Sequence, residues 1–497
     1  MPNIRKLIPW TVLVSALTIA VPHRFDEHDQ QPIPVTGMTT GINNRTGERS
    51  TRWEINALEH EGGPRWDLYI QGLAALQEKT ETDKRSHFSL AGIHGMPYIP
   101  YNGFLPFLLR QSFVANTRKE GQFVAWHRPY LALYEQILGR EIQLIAARYN
   151  TSHRNSSVYR EAAQAFRLPY WDWASNARLP PSYRWPTYPL NQTQFPGSAG
   201  WPNETTRASD GKSDFSLDVV NANLAAVAGQ LKDQVYRTFA YAETYDQMSS
   251  MADPEGLSLE AAHNIVHNAV GGSFASIDAT AFDPLFMLHH ANVDRLAALW
   301  QAAHPNDTYQ SQTYASGGLY GTARGENVTA ESPVKPFYRA DGKTFHTGIS
   351  TSSVEAFGYT YPELQGLGSG GITWRINNLY GNDYDDTKST GQDWFVEVAA
   401  NRSELELPCN IDVHLGEVFA GRVALLSMPM HGVGRNAVEK ILRAQLRVDI
   451  IKGNGATINS KDVSGIKLNL AVIDVTSSES GFELAKYGNK KLVPLGD

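Results

Sequence analysis

The stretch His263-Asn264-Ile265-Val266-His267, followed by Phe282-Asp283-Pro284-Leu285-Phe286-Met287-Leu288-His289-His290-Ala291-Asn292-Val293-Asp294-Arg295, decides how the rest of the chain is read. Its first two histidines are four residues apart, and a third follows some twenty residues on. On a helix, positions i and i+4 share a face, so both imidazoles reach one metal ion. A third imidazole from a neighbouring helix completes a trigonal nitrogen site with an open position, which suits copper or zinc. The flanking residues predict the two helices. Ser258 caps the first, which ends at Gly271-Gly272. Asp283 caps the second, with Pro284 in its first position, and that helix stops near His304-Pro305.

Working outward, the chain has 497 residues, 42 % hydrophobic and 19 % charged, which supports more than one packed core. A net charge of −7 without a basic block argues against nucleic acid or an anionic membrane as partner. Arg5 and Lys6 precede an apolar run from Leu7 to Val21 with small residues at Thr18-Ile19-Ala20, so residues 1–20 read as an export signal and not as a membrane anchor. The sequons at Asn44, Asn150, Asn155, Asn191, Asn203, Asn306, Asn327 and Asn401 agree with a secreted glycoprotein. Cys409 is the single cysteine, so no internal disulfide forms, and it reads as a small buried hydrophobe.

Residues 21–50 form a polar arm. From Trp53 the text is helical: Trp66, Tyr69, Ile70, Leu73 and Leu76 recur at helical spacing, and Leu131, Tyr134, Leu138, Ile142 and Ile145 do so after His127-Arg128-Pro129-Tyr130, where Pro129 suits a first turn. Residues 175–213 read as loop, and a helical stretch follows at 218–248. Beyond the polar, Gly-rich stretch 364–392 the pattern changes to alternation at Trp394–Ala399, Ile411–Leu415, Leu446–Ile451 and Ile466–Val475. The expected architecture is mainly α: a helical-bundle domain at 51–363, a linker at 364–392, and a β-sandwich at 393–497.

Of the 15 histidines, most stand alone without a partner at ligand spacing. Those left as metal candidates are His94, in the loop Gly92-Ile93-His94-Gly95-Met96-Pro97-Tyr98, His127, His263, His267 and the pair His289-His290. Spacing alone leaves the metal open. No HExxH is present, though Glu260 lies three before His263.

Longer motifs narrow the choice. Trp126-His127-Arg128-Pro129-Tyr130-Leu131 with Glu135, Leu168-Pro169-Tyr170-Trp171-Asp172-Trp173, Leu259-Glu260-Ala261-Ala262-His263-Asn264, and Asp283-Pro284-Leu285-Phe286 through Arg295 occur in that order. Together they resemble the tyrosinase/polyphenol oxidase family of binuclear (type-3) copper proteins. Gly92–Tyr98 resembles the first copper-A segment of its secreted fungal members. Tyr359-Thr360-Tyr361 resembles the end of the catalytic domain, and the β-rich tail resembles the domain that covers the site in latent forms. The resemblance implies two copper ions, with His263, His267 and His290 on copper B and His94, a middle histidine and His127 on copper A; His289 is then a neighbour. It implies dioxygen and small phenols as partners, ortho-hydroxylation of monophenols or oxidation of o-diphenols to o-quinones, and a place in melanin biosynthesis. Glu260 and Asn264 match the pair that holds a proton-accepting water, and Asn268 matches the position that varies substrate preference. Phe286 is placed to stack on a copper-B imidazole. Asp294 is a candidate acceptor for an imidazole N–H, or the partner of an arginine.

One position departs from the family. The middle copper-A histidine belongs nine residues before His127, where this chain has Arg118, and the cysteine two positions earlier is Asn116. Arginine stays charged and offers no lone pair to a metal. Three readings follow: copper A has two ligands, an outside residue such as His87 replaces the third, or the gene is mistranslated across about 104–122. The first leaves an alternative function, an altered, non-catalytic relative with only copper B intact. A zinc hydrolase on His263, His267 and His290 is the remaining rival.

Overall fold

The computed structural model describes residues 31–104, 122–149, 156–181, 217–251, 257–316, 322–323, 325–381, 390–400, 405–426, 432–438, 446–453, 455–459, 463, 466–478 and 480–494. The export signal, Asn116, Arg118, most of the 175–213 loop, and the sequons at Asn150, Asn155, Asn191, Asn203 and Asn401 lie outside the described residues. The helices are α1 (Ile55–Glu61), α2 (Gly63–Gln77), α3 (His87–Ala91), α4 (Phe123–Ala147), α5 (Ser156–Gln164), α6 (Leu217–Tyr241), α7 (Tyr245–Ser249), α8 (Leu259–Val270), α9 (Leu285–Ala303) and α10 (Ser369–Tyr380).

The central element is α9. Every residue from Leu285 to Gln301 is buried, as expected for a helix that is apolar nearly all round. Helices α4, α8 and α10 pack around it, and α2 lies on the far side of α4, where a Cβ on Gly72 would come 2.5 Å from Ile142 Cγ1. That close helix approach therefore requires a glycine. The arm wraps this bundle: Val35 N donates to Tyr338 O at 2.8 Å, and Gln136 Oε1 accepts from Thr36 N and Gly37 N at 3.0 Å each.

The caps around the opening stretch follow the sequence. Ser258 accepts from Ala261 N at 3.3 Å, and Gly271 closes α8 at φ +75°. Asp283 Oδ1 accepts from Leu285 N at 3.0 Å. Helix α4 differs from expectation. It starts at Phe123, four residues before His127, so Pro129 sits past the first turn and leaves Ala125 O without a helical partner.

Asp294 is not an imidazole acceptor. Its carboxylate takes Arg128 Nε at 2.5 Å, Arg52 Nη1 at 3.2 Å, and the hydroxyls of Tyr359 and Tyr361 at 2.6 and 2.7 Å. Arg52 Nε also donates to Glu135 Oε2 at 2.8 Å. All of these side chains are buried. Burial pushes the Asp294 carboxyl up, but Arg128 and Arg52 outweigh it and hold the group below its usual range. The Tyr359-Thr360-Tyr361 motif thus closes the helical domain by locking onto α9.

Short pairs β1 (Tyr314–Ala315) with β2 (Asn327–Val328) and β3 (Pro333–Tyr338) with β4 (Phe345–Thr347) edge the helical domain. The stretch 364–392, expected as linker, contains α10, whose Ile372, Ile376 and Tyr380 are buried. Tyr380 OH accepts from Arg295 Nη1 at 2.7 Å. Polar and glycine content hid an apolar i, i+4, i+8 stripe.

The C-terminal strands are β5 (Thr390–Ala400), β6 (Cys409–Leu415), β7 (Val418–Leu425), β8 (Gly432–Val438), β9 (Leu446–Lys452), β10 (Thr457–Asn459), β11 (Ile466–Thr476) and β12 (Lys486–Pro494). They form two four-stranded sheets, ordered β10-β9-β6-β7 and β12-β11-β5-β8, with antiparallel pairings throughout. Val396, Val398, Ile411, Val413, Val448, Ile450 and Leu470 fill the space between the sheets. On the opposite face of β5, Phe395 packs with Leu257 of the helical domain. Gln230 on α6 pairs with the backbone of Arg422 on β7 in both directions, at 2.8 and 2.9 Å.

Candidate metal centre

Three candidate imidazoles converge at the heart of the bundle. His263 and His267 stand one turn apart on α8, and His290 faces them from α9. His267 Nε2 is 2.9 Å from His263 Nε2, which is 3.1 Å from His290 Nε2. The other ring nitrogens decide what these contacts are. His267 Nδ1 lies 2.7 Å from Phe274 O, and a carbonyl can only accept, so Nδ1 carries the proton. His263 Nδ1 donates likewise to Asn264 Oδ1 at 2.9 Å. The two Nε2 atoms therefore bear lone pairs that face one another at 2.9 Å. Neutral imidazoles repel in that arrangement unless a cation lies between them. A trigonal ion with nitrogens at about 2.0 Å holds its ligands about 3.5 Å apart, close to what the side chains adopt.

Protonation cannot supply that cation. Burial lowers the basicity of every imidazole here: His267 falls to about 3, and His263, His289 and His290 lie well below their usual value, with nearby imidazoles adding a smaller effect. The cluster is neutral and ready to ligate.

A second pair of candidates faces the first. His94, in the loop after α3, and His127, on α4, have ring centroids 5.7 Å apart. His127 stacks on His290 at 4.2 Å and 18°. His94 Nδ1 donates to Ile277 O at 2.9 Å and His127 Nδ1 to Phe123 O at 2.8 Å, so both present Nε2 as a lone pair. The His127 Nε2 atom is buried without a hydrogen-bond partner. Burial again lowers both, to about 4 for His94 and about 3 for His127. Phe286 sits between the pairs, 4.1 Å from the His290 ring and 4.8 Å from that of His94.

One expectation is corrected. His87 is no substitute for the missing histidine: Nε2 bonds Phe282 O at 3.0 Å and Nδ1 lies 3.4 Å from Tyr134 OH. Both its nitrogens are therefore occupied. Glu260 and Asn264 both contact Met251. Glu260 Oε2 accepts from Ser250 Oγ at 2.8 Å and Met251 N at 2.7 Å, while Asn264 Nδ2 donates to Met251 Sδ at 3.3 Å. Met251 thus touches both, which no spacing in the sequence signals. His289 is buried with neither nitrogen hydrogen-bonded, and its ring stacks on His263 at 4.8 Å and 14°. It shares a potential metal-binding group with His263, His267 and His290, but a ring parallel to that of His263 is packing geometry.

Asn268, one residue past His267, points to the C-terminal domain. Its Nδ2 donates to Asn410 Oδ1 at 2.9 Å and Cys409 O at 3.1 Å. Cys409 is buried at the start of β6, as its reading as a small hydrophobe requires.

A helical core with two facing sets of neutral imidazoles, four of them (His94, His127, His263 and His267) directed by an acceptor on the far nitrogen, defines a buried histidine metal centre with a β-domain packed against α8. Comparison with known proteins gives it a family. Residues 84–303 match the family model "Common central domain of tyrosinase". A tyrosinase of Neurospora crassa is 30% identical over 379 residues, covering 67% of this chain and 54% of the relative. Polyphenol oxidase 2 of Agaricus bisporus is 28% identical, covering 72% and 68%. The chain therefore spans between about half and two thirds of the length of these curated relatives. Among solved structures, latent and active mushroom tyrosinase superposes with a TM-score of 0.77 at 20% identity, covering 94% of this chain and 98% of that one. Aspergillus oryzae pro-tyrosinase gives 0.72 at 20% identity, covering 93% and 97%. The chain belongs to the tyrosinase family, with its helical core and C-terminal sheet domain. The family's cofactor is a pair of copper ions, and the buried histidines are donors suited to copper.

Proposed function

We propose that this protein is a secreted copper oxidase that hydroxylates phenols or oxidises o-diphenols to o-quinones with dioxygen, and that its C-terminal domain keeps it latent. The observation that carries the reading is the 2.9 Å approach of two Nε2 lone pairs, which calls for a metal ion. His263, His267 and His290 are the proposed copper-B ligands, and His94 and His127 belong to copper A. When bound, the copper pair supplies the dioxygen and redox chemistry. The chain's own residues prepare the site. Phe274 O and Asn264 Oδ1 hold the tautomers of His267 and His263. Phe286 packs against a proposed ligand of each ion, His290 and His94. Glu260, held by Ser250 and Met251 one turn before His263, is the proposed acceptor of the phenol proton. The proposed substrate-selecting residue, Asn268, is tied to β6, which supports latency.

Export rests on the Leu7–Val21 run. Among the described residues, no helix is long and apolar enough to cross a membrane. Asn44, Asn306 and Asn327 are exposed, as glycan acceptors must be. The activating cut is placed between about 363 and 392, from composition alone. The test is a copper count on purified, protease-treated protein together with o-quinone formation from a catechol. Two coppers without oxidation of any phenol or catechol rejects the oxidase. Activity that zinc restores after chelation points instead to the hydrolase.

A second reading has support of its own. Among the described residues only His94 and His127 serve copper A, and His87 is committed elsewhere. One copper per chain and no catechol oxidation identifies an altered relative using copper B alone.

A further inference from the structure

The short loop after α8 carries acceptors for one imidazole of each proposed copper. Phe274 O accepts from His267 Nδ1 at 2.7 Å, and Ile277 O accepts from His94 Nδ1 at 2.9 Å. Two more contacts bind the His94 segment to this loop. Met96 N donates to Asp278 O at 2.9 Å, and the Tyr98 hydroxyl bonds the Asp278 carboxylate. Gly95 lies directly on the loop backbone, where an added Cβ would stand 2.4 Å from Asp278 O. Thr280 Oγ1, 3.2 Å from His267 Nδ1, returns the end of the loop to α8. The remaining ligands differ. His127 takes its acceptor from its own helix and His263 from the adjacent Asn264.

We propose that residues 271–280 are a positioning element shared by the two sites, so that metal at copper B presets His94 for copper A. The proposal rests on the ligand assignment above. An imidazole held through its far N–H has its tautomer and ring direction set by that acceptor. Metal on His267 immobilises Phe274 O, and Ile277 and Asp278 follow within four residues. Backbone hydrogen bonds then carry that restriction to Met96 and His94. Linkage makes the effect reciprocal: metal on the His94 side strengthens metal at the copper-B helix by the same factor. Gly95 and Asp278 are positioning residues in this scheme, since neither touches a metal or substrate.

The test reads backbone exchange, independently of oxidase activity. His127→Ala removes the other copper-A imidazole, so that one equivalent of Zn(II) reports on the α8–α9 site alone. Deuterium uptake is followed by mass spectrometry with and without zinc. Exchange at 92–98, with Met96 as the direct reporter, is expected to slow by about tenfold along with that at 271–280. Adding G95A, or separately D278A if G95A fails to fold, is expected to abolish the slowing at 92–98 and keep it at 271–280. Slowing confined to 271–280 in the parent, or unchanged coupling in both added variants, overturns the proposal. Absence of phenol oxidation leaves this readout intact, so failure of the oxidase reading and failure of the shared loop are separate results.

Discussion

Replacing Asp294 by Asn keeps the shape of the side chain and removes its charge. In the native network two carboxylates, Glu135 and Asp294, balance two guanidiniums, Arg52 and Arg128, and all four are buried. The variant leaves one positive charge uncompensated in the core. Removing one partner of a buried pair costs about 3–5 kcal/mol. The hydroxyls of Tyr359 and Tyr361 also lose a charged acceptor, although Tyr361 keeps Ala291 O at 2.9 Å. A total of about 4 kcal/mol is expected. For a cooperative unit of about 300 residues the unfolding entropy is about 0.6 kcal/mol/K, so the melting temperature falls by about 6 °C. Calorimetry and urea unfolding at matched copper content measure the effect. Adding Arg128→Met to Asp294→Asn removes the stranded charge and is expected to recover part of the loss. A single variant within about 1 kcal/mol of the parent, or a double variant less stable than the single, refutes the reasoning.

Three further outcomes follow from particular contacts. Burial lowers His87 from 6.5 to about 4, so the folded state keeps it neutral while the unfolded chain takes up a proton. Stability is therefore whole above pH 6.5 and falls as the pH drops toward 4, by up to about 1.4 kcal/mol per pH unit from this group, and His87→Asn is expected to flatten that slope in urea titrations at successive pH values. Asn410→Ala removes the Oδ1 that accepts from Asn268; losing about 1 kcal/mol of docking makes the uncut protein about fivefold more open, measured as its residual activity and its rate of proteolysis between the domains. Gly358 adopts φ +76°, and a Cβ there would lie 2.0 Å from Met38 O, so G358A is expected to cost about 2 kcal/mol or more in thermal unfolding by displacing the N-terminal arm.

Much of the site was legible because its chemistry lies in short, periodic text. The i, i+4 spacing of His263 and His267, the Ser258 cap and the Gly271 stop act within one helix, and local rules govern them. Strands β7, β8, β10 and β12 escaped the alternation pattern. Val418–Leu425 has one clean inward series only toward its end, and Lys486–Pro494 is an edge strand with lysines at 486, 490 and 491. Helix α10 was masked by the glycines at 368, 370 and 371. Spacing does not decide between an imidazole and an arginine as the partner of Asp294, because it places His290 beside it while Arg52 comes from 242 residues away.

By itself the sequence determined the metal-binding character of this protein. Which residue types share a helical face depends only on spacing, and the ordered motifs around His127, His263 and His290 specify one family. Tertiary structure decided the rest. It chose which nitrogen of His267 and of His94 is left to ligate, because the acceptors Phe274 O and Ile277 O are backbone groups whose position no side chain announces. It assigned His87 to the core, joined Met251 to both Glu260 and Asn264, and tied Asn268 to a strand 142 residues away. These contacts depend on where the chain returns in space, and that is set by packing around α9.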